Sequence, residues 1–450
     1  MSEATSRPSE LSAIAKLAAP IVLAQLGLTL LGLVDVAILG HVSATELGGA
    51  SIGRSIGFVG LALGIGASAA LEPLASQAVG AREPHVAWRA LLAAIVACTL
   101  VWIPCSLVAI GSTWLLAPLG IDPDLVRPAR AFLLGQTPGL LCTSIFLSVK
   151  TFLQAHERTW PALASAVAAN VVNVLVCNAL VRGEIPLGRF GTIALGLPPM
   201  GALGAGIASS VASAVLVLGV LAAALRMRPA RERDARALPI AKVLRLGTPF
   251  GLQLLAEIGV FSVVAVLAGR LGEIAVSAHQ IAIGLASFTF MGALGISGAT
   301  AVRVGHAIGE RRAPRRAGLV GIAMGAAFMS GSSLLFLVMP RALASLFTDD
   351  PRILDLGVTL LGVAAAFQIF DGVQGVAAGA LRGAGDVRFA FLANVGAHWF
   401  VGFPLALLFG FRLGFGAPGL WWGLLAGLVV ISILLAWRFV VVTRALIERV

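Results

Sequence analysis

Long apolar runs separated by short polar breaks dominate the chain. A helix needs about 20 apolar residues to cross a bilayer. Runs of that length fall at about 15–40, 47–72, 88–111, 130–155, 160–182, 201–225, 244–269, 277–302, 317–340, 353–380, 388–411 and 417–442. The pattern predicts twelve membrane helices. The runs are long and do not alternate, which argues against the strands of a membrane barrel.

Basic residues test that count, because Lys and Arg concentrate in cytoplasmic loops. With twelve spans, 23 of the 32 basic residues fall on the side of the termini and even-numbered loops, and 8 on the other. Basic residues near span ends, Lys150 among them, count with the adjoining loops, which leaves Arg54 alone within a span. Both termini are therefore expected in the cytoplasm, in a plasma (inner) membrane. The first residues, MSEATSRPSELS, lack the basic, apolar and small-residue regions of a signal peptide.

Composition agrees. Apolar residues make up 58% of the chain and charged residues 12%, against about a quarter charged in soluble proteins. Mean hydropathy is +0.97. The net charge of +11 sits in short loops, so it points to no nucleic acid. The four cysteines lie inside apolar runs and read as small hydrophobes, without disulfide or metal spacing. The 53 glycines suit close helix packing. Gly53/Gly57, Gly60/Gly64 and Gly419/Gly423/Gly427 are placed to do it.

The longest basic stretch, 226–245, divides the chain into two six-span halves. Residues 20–82 align without gaps on 249–311 with twelve identities, among them Pro20/Pro249, Gly66/Gly295, Gly80/Gly309 and Arg82/Arg311. Later loops, FLQAHERTWPAL and ALRGAGDVRFAF, recur at nearly the same offset. Each half has an even number of spans, so the halves enter the membrane in the same sense, a parallel repeat. The expected fold is all-α: twelve transmembrane helices in two six-helix lobes, 1–228 and 246–450, joined by a cytoplasmic linker, 229–245.

A carboxylate at mid-membrane costs from about 3 kcal/mol upward unless it faces protein or water. Asp35 lies fifteen residues after Pro20 in span one. It reads either as an interfacial acid or as a protonatable switch. Pro20 weakens the helix ladder and permits a bend. Glu257, in LQLLAEIGVFSVVAV, and Asp371, in FQIFDGVQGVAAGALRGAG, sit mid-span with no span-end excuse. Together they suggest a shared cation or proton site. Phe261 is one turn beyond Glu257, and Gln368 and Gln374 flank Asp371 as a polar stripe. Glu72 reads as interfacial, and Arg54 as snorkelling or paired. Asn170, Asn173 and Asn178 in span five either hold helices together or line a cavity. No ATP-binding loop, zinc motif or nucleophile elbow is present. Transport would be driven by an ion gradient or by a partner, with no cofactor expected beyond Na⁺ or H⁺ as coupling ion.

LVDVAILGHVSATELGGASIG, PLASQAVGARE, AEIGVFSVVAVLAGRLGEIAVSAHQIA, GISGATAVRVGHAIGE and FDGVQGVAAGALRGAGDVR together resemble the multidrug and toxic compound extrusion (MATE) transporters, in their NorM-type branch. The resemblance implies two lobes forming a V around a central cavity. It also implies export of amphipathic, often cationic drugs in exchange for Na⁺ or H⁺. By the same resemblance, Asp35 matches a first-helix proton-coupling aspartate and Pro20 the proline of helix bending. Glu257 and Asp371 match the second-lobe cation site, with Na⁺ as the candidate metal. Asn173 matches a first-lobe polar network. Cys177 departs from the acid or amide usual four residues after that asparagine. The chain has no tyrosine, so aromatic contacts fall to Phe, such as Phe290. The expected partners are a small-molecule drug and membrane lipids, and the expected working unit is a monomer.

Two other functions compete. A lipid-linked sugar flippase of the related superfamily would want an Arg-lined cavity. An intramembrane prenyltransferase would want clustered acids, for which Asp349, Asp350 and Asp355 are the candidates, better explained as a solvated loop.

The charge asymmetry makes a prediction. In a background without native cysteines, single cysteines in the 229–245 linker should resist membrane-impermeant thiol reagents in intact cells. Ready labelling from outside would reverse the topology.

Overall fold

The computed structural model describes residues 9–186, 192–194, 196, 198–230 and 237–450. Arg7, Arg189 and the linker arginines Arg231, Arg233 and Arg236 lie outside the described residues. Among the described residues, twelve helices are long and apolar enough to span a membrane. Spans one to six are Glu10–Gly40, Ala44–Gly80, Pro84–Leu115, Pro123–Ala155, Trp160–Arg182 and Gly201–Leu225. Spans seven to twelve are Ile240–Arg270, Glu273–Gly309, Arg315–Val338, Pro351–Ala384, Val387–Arg412 and Gly416–Val442. The all-α, twelve-span expectation holds. A short hairpin, Glu184–Pro186 paired with Thr192–Ala194, follows span five and carries no signal in the hydrophobic pattern.

Several helices overrun their apolar runs, so Arg303 and Arg382 lie inside spans eight and ten. A helix ladder does not stop where hydrocarbon stops; it stops where its last carbonyls find other donors. Spans two and eight end alike. Arg82 and Arg311 adopt left-handed backbone, with φ of 63° and 55°. Their N–H groups donate to the carbonyls of Val79 and Ile308, each at 2.9 Å. Spans four and ten end alike too, at Glu157 (φ 58°) and Gly385 (φ 86°). There Arg158 N–H donates to Leu153 O and Asp386 N–H to Leu381 O, each at 2.9 Å. The repeat is thus visible in the backbone as well as in the residue alignment.

Two prolines shape local breaks. Span two is interrupted at Ala70, between Ala44–Ala69 and Leu71–Gly80. Pro73 lacks the N–H that the Ala69 carbonyl would accept. Span eleven widens to i→i+5 turns at Gly396–Gly402 and Leu408–Arg412, on either side of Pro404. Span one, by contrast, is helical throughout Glu10–Gly40 with Pro20 buried inside it.

The chain forms two compact units. One comprises residues 23–75 and 83–251; the other comprises 1–22, 76–82 and 252–450. Spans one and seven each change unit two residues past their proline, after Val22 and after Gly251. Glycines make the corresponding contacts. In the first unit, a Cβ on Gly247 would meet Gly66 O at 2.5 Å. In the second, a Cβ on Gly295 would collide with Val22. Also in the second unit, Gly80 lies against the His306 carbonyl, at 2.5 Å from its would-be Cβ. Gln77 there donates to Gly383 O and accepts from Val450 N–H, both at 3.0 Å. Glu10 holds Arg303 through two contacts of 3.2 Å.

The sequence-predicted glycine faces are packing faces. Gly53 would press a Cβ on Ala129 O at 2.5 Å, and Gly57 lies against Gln136 and Leu133 of span four. Gly60 meets Cys105 of span three, and Gly64 meets Ser144 of span four. Gly419, Gly423 and Gly427 seat span twelve on span eleven, at Phe409, Ala406 and Gly402 respectively. Such approach leaves no room for a methyl group. Gly423→Ala should therefore lower stability by about 1–3 kcal/mol through overpacking. Gly331→Ala, with open space around its would-be Cβ, should be neutral or slightly stabilising. Thermal unfolding of the two variants in detergent checks the contrast.

Candidate functional site

Two polar centres stand out, one in each unit. In the unit containing most of the second half, a cavity of about 320 Å³ is lined by Glu257, Phe261, His279, Phe290, Phe367 and Asp371, among others. That is room for about ten water molecules. Spans seven, eight and ten supply these side chains. Glu257 and Asp371, predicted from lone mid-span placement, thus reach one cavity. They act on each other electrostatically. Glu257 Oε2 accepts from Asn394 Nδ2 at 3.2 Å. The buried guanidinium of Arg382, bonded to Ser297 Oγ at 3.2 Å, adds a positive charge felt by Glu257.

The walls are aromatic. Phe261 and Phe367 meet edge to face at 6.1 Å, and Phe367 meets Trp421 at 5.6 Å. Trp421 Nε1 donates to His279 Nδ1 at 3.2 Å, which orients that ring. His398 is buried beside Phe261, with ring centroids 6.1 Å apart. Phe290 lines the cavity as well.

The flanking glutamines do something else. Gln368 Nε2 donates to Thr289 Oγ1 and, at 2.8 Å, to Ser332 Oγ, which ties spans eight, nine and ten together. Gln374 is buried, and neither glutamine lines the cavity. The polar stripe expected on one face is split, because residues three apart on a helix differ by about 60° in direction. Asp371 takes the cavity, Gln368 takes helix–helix bonds, and Gln374 is buried away from the cavity.

In the other unit, the centre is Asp35, which is 1% exposed. The interfacial reading of this acid fails. Its carboxylate accepts from Asn173 Nδ2 at 3.0 Å, Ser209 Oγ at 2.5 Å and Arg54 Nη2 at 3.3 Å. Spans two, five and six each supply one donor. Arg54 does not snorkel: Nη1 donates to Gly32 O at 2.8 Å, and its guanidinium stands over the Phe132 ring at 5.4 Å. Asn170 binds Gly27 O and Ala166 O, each at 2.8 Å, so it joins spans one and five. Asn178 donates to Val174 O within its own helix. Neither reaches Asp35: Asn178 lies five residues past Asn173, away from its face, whereas Cys177 at four stays on it.

Other predictions are corrected. Lys150 is buried in span four, not placed in a loop; its Nζ donates to Gln25 Oε1 at 3.4 Å and interacts with Glu72. Glu72 therefore has a role inside the unit. The acidic loop is consumed locally. Asp350 caps span ten by accepting from Arg352 N–H at 2.9 Å, and it pairs with the Arg352 guanidinium. Hydrogen bonds from Arg352 hold the exposed Asp350 carboxyl below the usual range. Asp355 pairs with Arg341 at 3.1 Å.

Sequence reasoning passed over Ser209 and Asn394, and read His279 and His398 only as scattered histidines without a metal set. A lone amide in an apolar span was the available signal for Asn394; serine in a Gly/Ala/Ser-rich span carries none for Ser209. Each donor to Asp35 satisfies a buried charge. Ser209→Ala and Asn173→Ala should each lower unfolding free energy by about 1.5–3 kcal/mol. Asn178→Ala, which removes only an intrahelical bond, should cost less. Denaturant titration in detergent distinguishes the three.

Comparison with known proteins gives the family. The MatE family model matches residues 20–178 and again 249–408, and the two matches start at the proline pair that opens the internal alignment. A probable multidrug resistance protein NorM of Rhodopseudomonas palustris is 34% identical over 441 residues, covering 95% of this chain and 91% of its own. The multidrug resistance protein NorM of Burkholderia vietnamiensis is 33% identical, covering 96% and 94%. Among solved structures, a eukaryotic MATE transporter superposes with a TM-score of 0.85 at 22% identity, covering 96% of this chain and 95% of that one. A MATE structure in the bent conformation gives 0.86 at 18%, covering 98% and 96%. The chain belongs to the MatE family and is a multi-pass membrane transporter, not an enzyme.

Proposed function

We propose that the protein is a multidrug efflux transporter that exports amphipathic, often cationic compounds in exchange for Na⁺ or H⁺ by alternating access. The observation that carries the reading is the meeting of Glu257 and Asp371 in one aromatic-walled cavity. Two carboxylates ionised together in a low-dielectric site repel each other, so a resident cation or proton is required. Carboxylate oxygens suit a hard cation, and a single shared proton serves the same balance. Phe261, Phe290 and Phe367 offer ring faces to an apolar or cationic compound.

Coupling follows from differential binding. A cation that occupies the cavity favours the arrangement in which spans seven and ten hold both carboxyls to it. Loss of the cation favours another arrangement, and a drug that prefers one of the two is released when the ion enters. The NorM names of relatives at about a third identity support the drug-exporting role. The positive-inside asymmetry supports an inner-membrane location with both termini cytoplasmic. A monomer working without a further cofactor completes the reading. A lipid-linked sugar flippase gains little support, because Arg54 is already committed to Asp35 and Gly32.

The test uses the full chain in liposomes with a fluorescent cationic dye and Na⁺ and pH gradients imposed separately. Glu257→Gln and Asp371→Asn should each abolish gradient-driven efflux while keeping some dye binding. Wild-type dye affinity should depend on Na⁺ or pH, and each variant should lose that dependence. Wild-type affinity indifferent to both ions, or variants that keep the dependence, would place the ion site elsewhere.

A further inference from the structure

Every group facing Asp35 is accounted for. Span two brings Arg54, span five brings Asn173 and the Cys177 thiol, and span six brings Ser209. Arg54 is the one cation among them at hydrogen-bonding distance. Its side chain is 29% exposed and that of Asp35 2%, so the guanidinium forms the lid of the pair and the carboxylate its floor. The lid is fixed on three sides. Nη1 holds the Gly32 carbonyl, Nη2 holds Asp35, and Phe132 lies beneath the guanidinium plane. Gly32 admits this contact because it has no side chain: a Cβ there would stand 2.6 Å from Arg54 Nη1. Among the described residues no second carboxylate acts on Asp35; Cys177 occupies the neighbouring face of span five, and the charge of Arg182 is felt by Cys177 and not by Asp35. The centre therefore sums to one negative and one positive charge.

The cavity of the other unit is the opposite case. Glu257 and Asp371 share it; Glu257 has one amide donor at 3.2 Å and feels the charge of Arg382, which leaves two carboxyls to one positive charge. A self-neutral centre has nothing to gain from a coupling cation, whereas a pair of carboxyls does.

We infer that Arg54 is the positioning residue of the Asp35 centre: it holds this carboxylate as a closed ion pair and withholds it from ion exchange, leaving Glu257 and Asp371 to carry the coupling charge. This rests on the ion-coupled reading above and decides between its two candidate sites. Asp35 then acts as a structural anion that gathers spans one, two, five and six. An opposite charge beside a carboxylate favours its ionised form, and loss of that charge makes proton uptake easier.

The experiment isolates the first unit. The full-length protein carrying Glu257→Gln and Asp371→Asn is titrated with the fluorescent cationic dye across pH, with Arg54 intact, as Arg54→Gln, as Arg54→Lys, and as Arg54→Gln with Asp35→Asn. With Arg54 intact the affinity should be flat with pH. Arg54→Gln should introduce a pH-dependent step, tighter dye binding at high pH, that disappears when Asp35→Asn is added. Arg54→Lys, which keeps the charge, should restore the flat profile. A pH step that depends on Asp35 with Arg54 intact overturns the inference, and so does an Arg54→Gln profile identical to the parent. Should the Arg54 variants fail to fold, Asp35→Asn alone in the wild-type background decides: ion-dependent dye affinity must survive it, and its loss overturns the inference. Failure of the ion-coupled reading shows up separately, as single Glu257 or Asp371 variants that keep their ion dependence.

Discussion

An ionised side chain inside a hydrocarbon layer has to be paired, hydrogen-bonded or wetted, because the bilayer supplies no compensating dipoles. Much of the internal arrangement of this protein answers that constraint. Asp35 is met by an arginine, an amide and a hydroxyl from three different helices. Lys150 finds Gln25 and the charge of Glu72. Arg382 reaches Ser297. Each solution binds helices to one another, so the charges that endanger the fold also specify it. Glu257 and Asp371 are answered differently, by a single amide, the charge of Arg382 and a cavity. That difference separates a charge used for architecture from a charge kept available for a ligand.

The remaining cohesion is steric. Lipid tails are as apolar as leucine, so apolar burial alone does not drive one membrane helix onto another. Close backbone approach does, and glycine permits it. Span twelve rests on span eleven through three glycines four residues apart, and span two rests on span four through Gly53, Gly57 and Gly64. The same device recurs where spans one and seven change unit just past Pro20 and Pro249. A proline removes one ladder bond, and neighbouring glycines let the helix pass close to a partner on either side of that weakness. The two halves use this combination at equivalent positions, which is what a duplicated six-span unit leaves behind.

On the proposed reading, an ion-coupled exporter needs one part that responds to the ion and another that keeps its shape, and the two polar centres suit that division. The Asp35 centre has a donor from each of spans two, five and six. The Glu257–Asp371 centre has room for about ten waters, aromatic walls and two like charges. The first wide turn of span eleven, Gly396–Gly402, contains His398 and begins just past Asn394, which bonds Glu257 of the second centre. Such turns recur at functional sites because they re-aim side chains without ending the helix.

Much of this was legible in the residues alone, for reasons that are local or additive. Hydrophobic run length counted the spans, because bilayer thickness sets one scale for every helix. Glycine spacing marked packing faces, and the internal alignment located a repeat whose helix ends share the same left-handed caps. Lone mid-span acids pointed to Glu257 and Asp371, since their cost does not depend on knowing the partner. Direction and partnership had to wait for the tertiary structure. Gln368 and Gln374 sit as close to Asp371 in the chain as any residue of the site, yet they point elsewhere. Arg54 and Asp35 lie 19 residues apart on either side of a turn, and only the docking of spans one and two reveals them as a pair. Asn394 and Ser209 gain meaning only from the carboxylates they meet. Periodicity says which residues share a face of one helix; which face meets which helix is a property of the packed whole.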